Sequence, residues 1–285
     1  MATKNEVENY VAVGSLKADA SAAAVRSAYK IEVRFLGGLT TPQKNAFKKA
    51  ADRWSKVITG DLPSVIVSGE VIDDLLIEAQ GAAIDGPSGI LGQAGPTNLR
   101  PASAGANAFL PAKGIMSFDT DDLAQMEADG TLVDVITHEM GHVIGIGTIW
   151  KQKQLLAGAG TANPTFRGAG AKKAFGELKG RGPTAVPVEN TGGAGTRDSH
   201  WRESVFRNEL MSGFIAAPGN PLSKVTVASL ADLGYVVDMA AAEPYQLPNL
   251  QALAEEGLLM AGNGFRAHAL PILAPKVLPE ASLNV

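Results

Sequence analysis

Val135-Ile136-Thr137-His138-Glu139-Met140-Gly141-His142-Val143-Ile144-Gly145-Ile146-Gly147 is the stretch from which the rest of this chain can be read. It contains His-Glu-x-x-His. On an α-helix, residues i and i+4 lie one above the other on the same face, so the His138 and His142 imidazoles can bind one cation. Glu139 follows the first of them and can reach the cation's open side, where a water would sit. Leu132, Val133, Val135 and Ile136 before the pattern, and Val143 and Ile144 after it, make an apolar surround. His and Glu are costly to bury there without a partner, and a divalent metal supplies one. Gly145 and Gly147 then break the helix, as a backbone turning sharply toward a metal requires. The chain has four histidines in all, and two of them are in this stretch.

Two histidines do not complete a catalytic zinc site; a third protein ligand is expected. In the pattern H-E-x-x-H-x-x-G-x-x-H it lies six residues after the second histidine. Here that position is Thr148, a poor zinc ligand. The third ligand is therefore a carboxylate elsewhere, or a histidine delayed by an insertion. His200 and His268 are the histidines that remain. His268 stands in a Pro-spaced tail and reads as an ordinary side chain.

His200 lies in Ser199-His200-Trp201-Arg202-Glu203, followed by Asn208-Glu209-Leu210-Met211-Ser212-Gly213-Phe214. The set H-E-M-G-H-V-I-G-I-G, a delayed H-W and then E-L-M-S-G resembles the leishmanolysin family of metzincin metallopeptidases. The resemblance implies His138, His142 and His200 as zinc ligands and Glu139 as general base. It implies Met211 as the methionine of the Met-turn and Gly145 as the glycine that lets the chain turn. It also implies an α+β, metzincin-type catalytic domain: a twisted mixed sheet over the active-site helix, then a C-terminal subdomain with the Met-turn and a long insertion. The expected activity is zinc-dependent hydrolysis of peptide bonds in protein or peptide substrates. A zinc hydrolase of non-peptide amides or esters, or a silent binding protein of the same fold, are the alternatives; the intact Glu139 speaks against the second.

Composition narrows the rest. With 285 residues, 45% of them hydrophobic and 19% charged, the chain can bury a substantial core and does not read as disordered. A net charge of −4 argues against nucleic acid or an anionic membrane as partner. Cysteine is absent, which excludes a disulfide scaffold, thiolate zinc ligation and the cysteine-based latency of many metzincins. No stretch approaches the ~18 apolar residues of a membrane span. Met1–Tyr10 is polar and carries Glu6 and Glu8, so no N-terminal signal peptide is visible. The resemblance implies a secreted or cell-surface protein; cytoplasmic residence stays open, as does the oligomeric state.

Along the chain, residues 1–30 read as a loosely ordered or pro-like lead-in, 31–248 as the peptidase domain and 249–285 as a tail. Ile31–Phe35 alternates apolar and charged residues, as a half-buried strand does. Thr41 and Pro42 open a helix, as N-cap and first-turn proline, and Gly60 closes it; its Trp54 face is core. Ser64–Val67 and Leu75–Ala79 read as strands of the same sheet. Residues 81–113, rich in Gly, Pro, Ala and Ser, read as a long loop. Gly114–Phe118 is expected as the edge strand beside which a peptide could lie by strand addition. Asp119-Thr120-Asp121-Asp122 suits a helix cap better than a calcium site, lacking the glycine and terminal Glu of a calcium loop. Calcium is thus possible but not favoured. Residues 151–199 form the insertion, and Ser223 starts a helix that stops at Gly234. Leu250–Met260 reads as a short amphipathic piece.

Overall fold

The computed structural model describes residues 7–15, 28–84, 86, 92–193, 195–215, 217–249 and 274–283. In chain order its strands and helices begin with β1 (Glu8–Val13), β2 (Lys30–Gly37), α1 (Thr41–Val57), β3 (Val65–Val67) and β4 (Glu70–Ile72). There follow β5 (Leu75–Ala82), β6 (Gly92–Leu99), β7 (Pro111–Asp119), α2 (Thr120–Ala128) and α3 (Leu132–Ile144). The remainder comprises β8 (Leu156–Ala157), β9 (Thr165–Phe166), α4 (Ala169–Leu178), β10 (Val186–Pro187), α5 (Glu203–Phe206), α6 (Lys224–Leu233) and β11 (Lys276–Val277). The chain is α+β. Its main sheet is mixed, in the order β1-β2-β5-β7-β6-β11. β2, β5 and β7 run parallel, β1 and β6 pair antiparallel with β2 and β7, and β11 lies parallel to β6.

The helix after β2 is capped one residue earlier than Thr41. Thr40 Oγ1 accepts from the Gln43 N–H and Gln43 Oε1 accepts from the Thr40 N–H, a reciprocal capping box with Pro42 just inside it. At the far end Ile58 caps, ahead of Gly60. Phe47, Ala50, Ala51, Trp54 and Val57 are buried and share one core with Ile31, Val33 and Phe35 of β2 and Ile77 of β5. Trp54 is fully buried, and its Nε1–H donates to the Thr137 carbonyl at 2.9 Å, which ties α1 to α3 one residue before His138. α3 packs against α1, β6 and β7.

Four expectations about the sheet are corrected. Residues 8–13, placed in the loose lead-in, are strand β1. Val65–Val67 does not join the main sheet; it folds back on β4 through Ser68 and Gly69, both at positive φ, the turn that a two-residue hairpin demands. Residues 92–99, read as loop, are strand β6, and β6 rather than the 114–118 strand runs along the outer side. The strand containing Gly114–Phe118, β7, is interior, with β5 on one side and β6 on the other. Part of the tail also joins this edge: Lys276 and Val277 pair with Asn98 and Leu99, and Leu278 packs in a small apolar cluster with Val65, Val67, Ile72, Leu76 and Ala112.

The insertion holds the three-stranded sheet β10-β9-β8 and helix α4. α4 has no side-chain cap of its own; the Asp232 carboxylate on α6 accepts from the Gly170 and Ala171 N–H groups instead, at 2.8 and 2.9 Å. This anchors the insertion to the C-terminal helix. Asp119 caps α2, accepting from the Asp121 N–H, and its second oxygen takes the Ile84 N–H, which fits the capping role expected for this acidic cluster. Among the described residues no helix is long and apolar enough to cross a membrane. The Leu250–Met260 segment and His268 lie outside the described residues.

Candidate metal centre

α3 brings His138 and His142 onto one face by its own period, and every residue of the helix but Val133 is buried. Its N-terminal turn is held by Asp134, whose Oδ2 accepts from the Gly219 N–H at 2.6 Å. Its C-terminus ends in a left-handed Gly145 (φ 119°), whose N–H and that of Ile146 return to the Gly141 carbonyl. Tyr235, just past α6, donates its hydroxyl to the Ile144 carbonyl at 2.8 Å.

The turn after Gly145 delivers the Ile146 carbonyl to His142 Nδ1, 2.8 Å away. Thr148, at the position a histidine holds in the shorter pattern, faces the same helix end: its Oγ1 donates to the His142 carbonyl at 2.8 Å. Gly147 (φ 77°) sits so close to the Ser199 backbone that a Cβ there would overlap the Ser199 carbonyl. This approach joins the helix exit directly to the segment that carries His200.

His200 arrives from outside the helix, on a segment braced at several points. Its carbonyl accepts from the Glu189 N–H, and the Trp201 N–H donates to the Met211 carbonyl. The buried Glu189 carboxylate gathers the Asn190, Thr191 and Glu203 N–H groups and the Thr191 hydroxyl. Trp201 stacks on Trp150 at 4.7 Å between ring centres and meets Phe166 of the insertion edge-on. The insertion thus leaves and returns over one aromatic cluster.

The three Nε2 atoms converge. His138 and His200 stand 3.0 Å apart, His142 and His138 3.1 Å, and His142 and His200 2.9 Å. Each Nδ1 faces a backbone carbonyl: Leu210 at 2.6 Å for His138, Ile146 for His142, Thr196 at 2.9 Å for His200. Those carbonyls assign the ring proton to Nδ1, so three bare Nε2 lone pairs point at one spot. Protonation does not relieve the crowding. Burial pushes His138 down to about 3, helped by His142, and His142 down to about 4. Burial, with its two histidine neighbours, holds His200 well below the ordinary imidazole value. Neutral, buried, convergent imidazoles are the donor set of a divalent metal such as zinc, and the group fits one.

Glu139 is buried beside these ligands, and burial alone pushes its carboxyl up to about 8. Met211 is buried below the helix. A Cβ on Gly141 would come within 2.8 Å of the Met211 sulfur and 3.0 Å of Trp54, so the missing side chain is what admits both. The sequence brings forward His138, Glu139, His142, Gly145, His200 and Met211, and the fold gathers the three histidines at one point. Glu189 and Thr196 are not legible in it, since their partners lie in the folded loop and no spacing marks them. Glu209 is part of E-L-M-S-G, but nothing local gives its role.

No curated protein matches this chain. The model of the leishmanolysin peptidase family matches residues 106–252, just over half of the chain and the part that contains the whole histidine cluster. A family match on that span, over a buried three-histidine cluster that could hold a metal, makes this chain a member of the leishmanolysin family of metallopeptidases.

Proposed function

We propose that the chain is a zinc-dependent endopeptidase in which His138, His142 and His200 hold the metal and Glu139 is the general base. The observation that carries this is the convergence of three bare Nε2 atoms within 3.1 Å of one another, each fixed from behind by a carbonyl. Zinc bound there would polarise a scissile carbonyl and acidify a water. Glu139 takes the proton released on attack and returns it to the departing amine.

Met211 is assigned the Met-turn role: its thioether lies against Gly141 in the middle of the metal helix. Gly145 supplies the left-handed residue that swings the chain back to His142. The substrate peptide would lie along the outer edge of β6, which packs beside α3 and, among the described residues, is paired only at Asn98 and Leu99.

The test is Glu139→Gln, loaded with zinc and assayed on a mixed peptide library. It should keep its metal and fold and lose cleavage by about 10²–10⁴-fold. A variant that cleaves as the parent does would overturn the assignment of Glu139. A parent that hydrolyses small esters and no peptide would overturn the peptidase reading.

A further inference from the structure

Glu209 is fully buried, and its carboxylate receives four donors. Oε1 accepts from the Ser223 N–H at 3.1 Å, from the Ser223 hydroxyl at 2.7 Å and from the Thr226 hydroxyl. Oε2 accepts from the Met211 N–H at 2.6 Å. Two of these donors, the Ser223 N–H on Oε1 and the Met211 N–H on Oε2, are backbone groups that cannot reverse. The Ser223 oxygen already takes the Thr226 N–H, and the Thr226 oxygen takes the Trp201 indole N–H. Burial raises the carboxyl's pKa, and the four donors oppose that rise. The group they define is an acceptor on both oxygens.

Its two oxygens have different tasks. Oε1 binds the start of α6, where Ser223 is the N-cap. Oε2 binds the turn at 209–211, whose middle residue, Leu210, presents its carbonyl to His138 Nδ1 at 2.6 Å. The next carbonyl, that of Met211, holds the Trp201 N–H beside His200. One carboxylate therefore fastens to the C-terminal helix the turn that aims one histidine and steadies the neighbour of another. We infer that Glu209 is a positioning residue for the metal centre, acting through the Leu210 carbonyl on His138. This rests on the proposed reading of the three histidines as zinc ligands.

The substitution that isolates the effect is Glu209→Gln. Its amide oxygen can keep the three donors from Ser223 and Thr226, but its NH₂ then faces the Met211 N–H, and the turn must give way. Ser223→Ala is the reference: it loses the hydroxyl bond at the α6 side and leaves the Met211 bond intact. Zinc affinity is read by chelator competition, ligand geometry by the visible spectrum of the cobalt-substituted protein, and stability by urea unfolding of the metal-free forms.

Glu209→Gln should weaken zinc by about 10–100-fold and alter the cobalt spectrum, the size expected when an outer partner of a metal ligand is lost. Ser223→Ala should be destabilised yet bind zinc within about threefold of the parent. Equal zinc affinity in Glu209→Gln and the parent, with an unchanged cobalt spectrum, would overturn the inference. So would equal weakening in both variants, which would mark a general softening. Should Glu209→Gln not fold, Glu209→Asp takes its place; it keeps the charge but is a methylene too short to span both partners, and its zinc affinity must fall for the inference to stand. A parent that binds no zinc would overturn the metal reading itself, a result distinct from a loaded parent and an equally loaded variant.

Discussion

The metal centre has a helical half and a looped half, and they are held by different physics. His138 and His142 are placed by the repeat of one α-helix, whose inner surface is apolar and whose C-terminus is closed by Gly145. His200 is placed by irregular chain around it, Glu189, Thr196 and Met211, and by the stack of Trp201 on the more distant Trp150. The helical half carries its geometry in its spacing, while the looped half acquires its geometry only when the surrounding chain has folded. The two meet where Gly147 touches Ser199 and where Gly141 admits Met211.

Removing the looped ligand should have the largest effect. His200→Ala should lower zinc affinity by more than the ~100-fold that loss of an outer partner costs, while the metal-free protein stays folded. Zinc retained at parental affinity would mean that the helical half suffices with some other ligand. Next is the junction. Gly147→Ala places a Cβ against the Ser199 carbonyl at a positive φ, and should cost about 2–3 kcal/mol in urea unfolding and weaken zinc as well. A neutral result would show that the two halves can move apart freely.

Carboxyls with raised pKa values stand in both halves, Glu139 in the first and Glu203 and Glu209 in the second, which gives the comparison a pH dimension. Glu139 is pushed up to about 8 by burial, and Glu203 to about 7 by burial opposed by Ser212 and Arg207. In the unfolded chain such carboxyls ionise near 4.5, so the folded metal-free protein binds the extra protons and loses stability as pH rises from about 4.5 toward 7 or 8. Glu203→Gln should make that slope shallower below pH 7, where Glu139 and Asp74, which burial raises to about 7, still contribute. Urea midpoints across this range would detect it; an unaltered slope would remove Glu203 from the account. The smallest effect belongs to Thr148→Ala, which forfeits one hydroxyl bond to the His142 carbonyl. It should cost about 1 kcal/mol or less and leave zinc affinity within about twofold. A large loss of zinc would give that side chain a part in the metal site.

The same division governs what the sequence alone conveys. The helix of His138 and His142, its glycine stop and the α6 span from Ser223 to Gly234 are legible, because local period and caps decide them. Met211 and His200 are legible as motif neighbours, though not the contacts that hold them. β6 is not, since Gly92-Gln93-Ala94-Gly95-Pro96-Thr97-Asn98-Leu99 has the composition of a loop and becomes a strand only by pairing with β7. The hairpin of β3 and β4 escapes for a related reason: Ser68-Gly69 sets its turn, but the run before it looks like any buried strand. Glu189 gives no signal at all, being a single glutamate whose partners depend on a folded loop.

The pairing of Asn98 and Leu99 with Lys276 and Val277 bears on how the chain is assembled. The loop that this contact closes contains α3 and all three convergent histidines, so it ranks among the least local contacts of the fold. Beyond that contact the outer side of β6 is, among the described residues, an unpaired edge, the kind of surface on which chains stick to one another. Pro96 removes a donor from that edge, and Gly92 and Gly95 weaken its hold on any passing strand. The residues that disguise β6 as a loop are also the ones that make its outer side a poor template for stray strands.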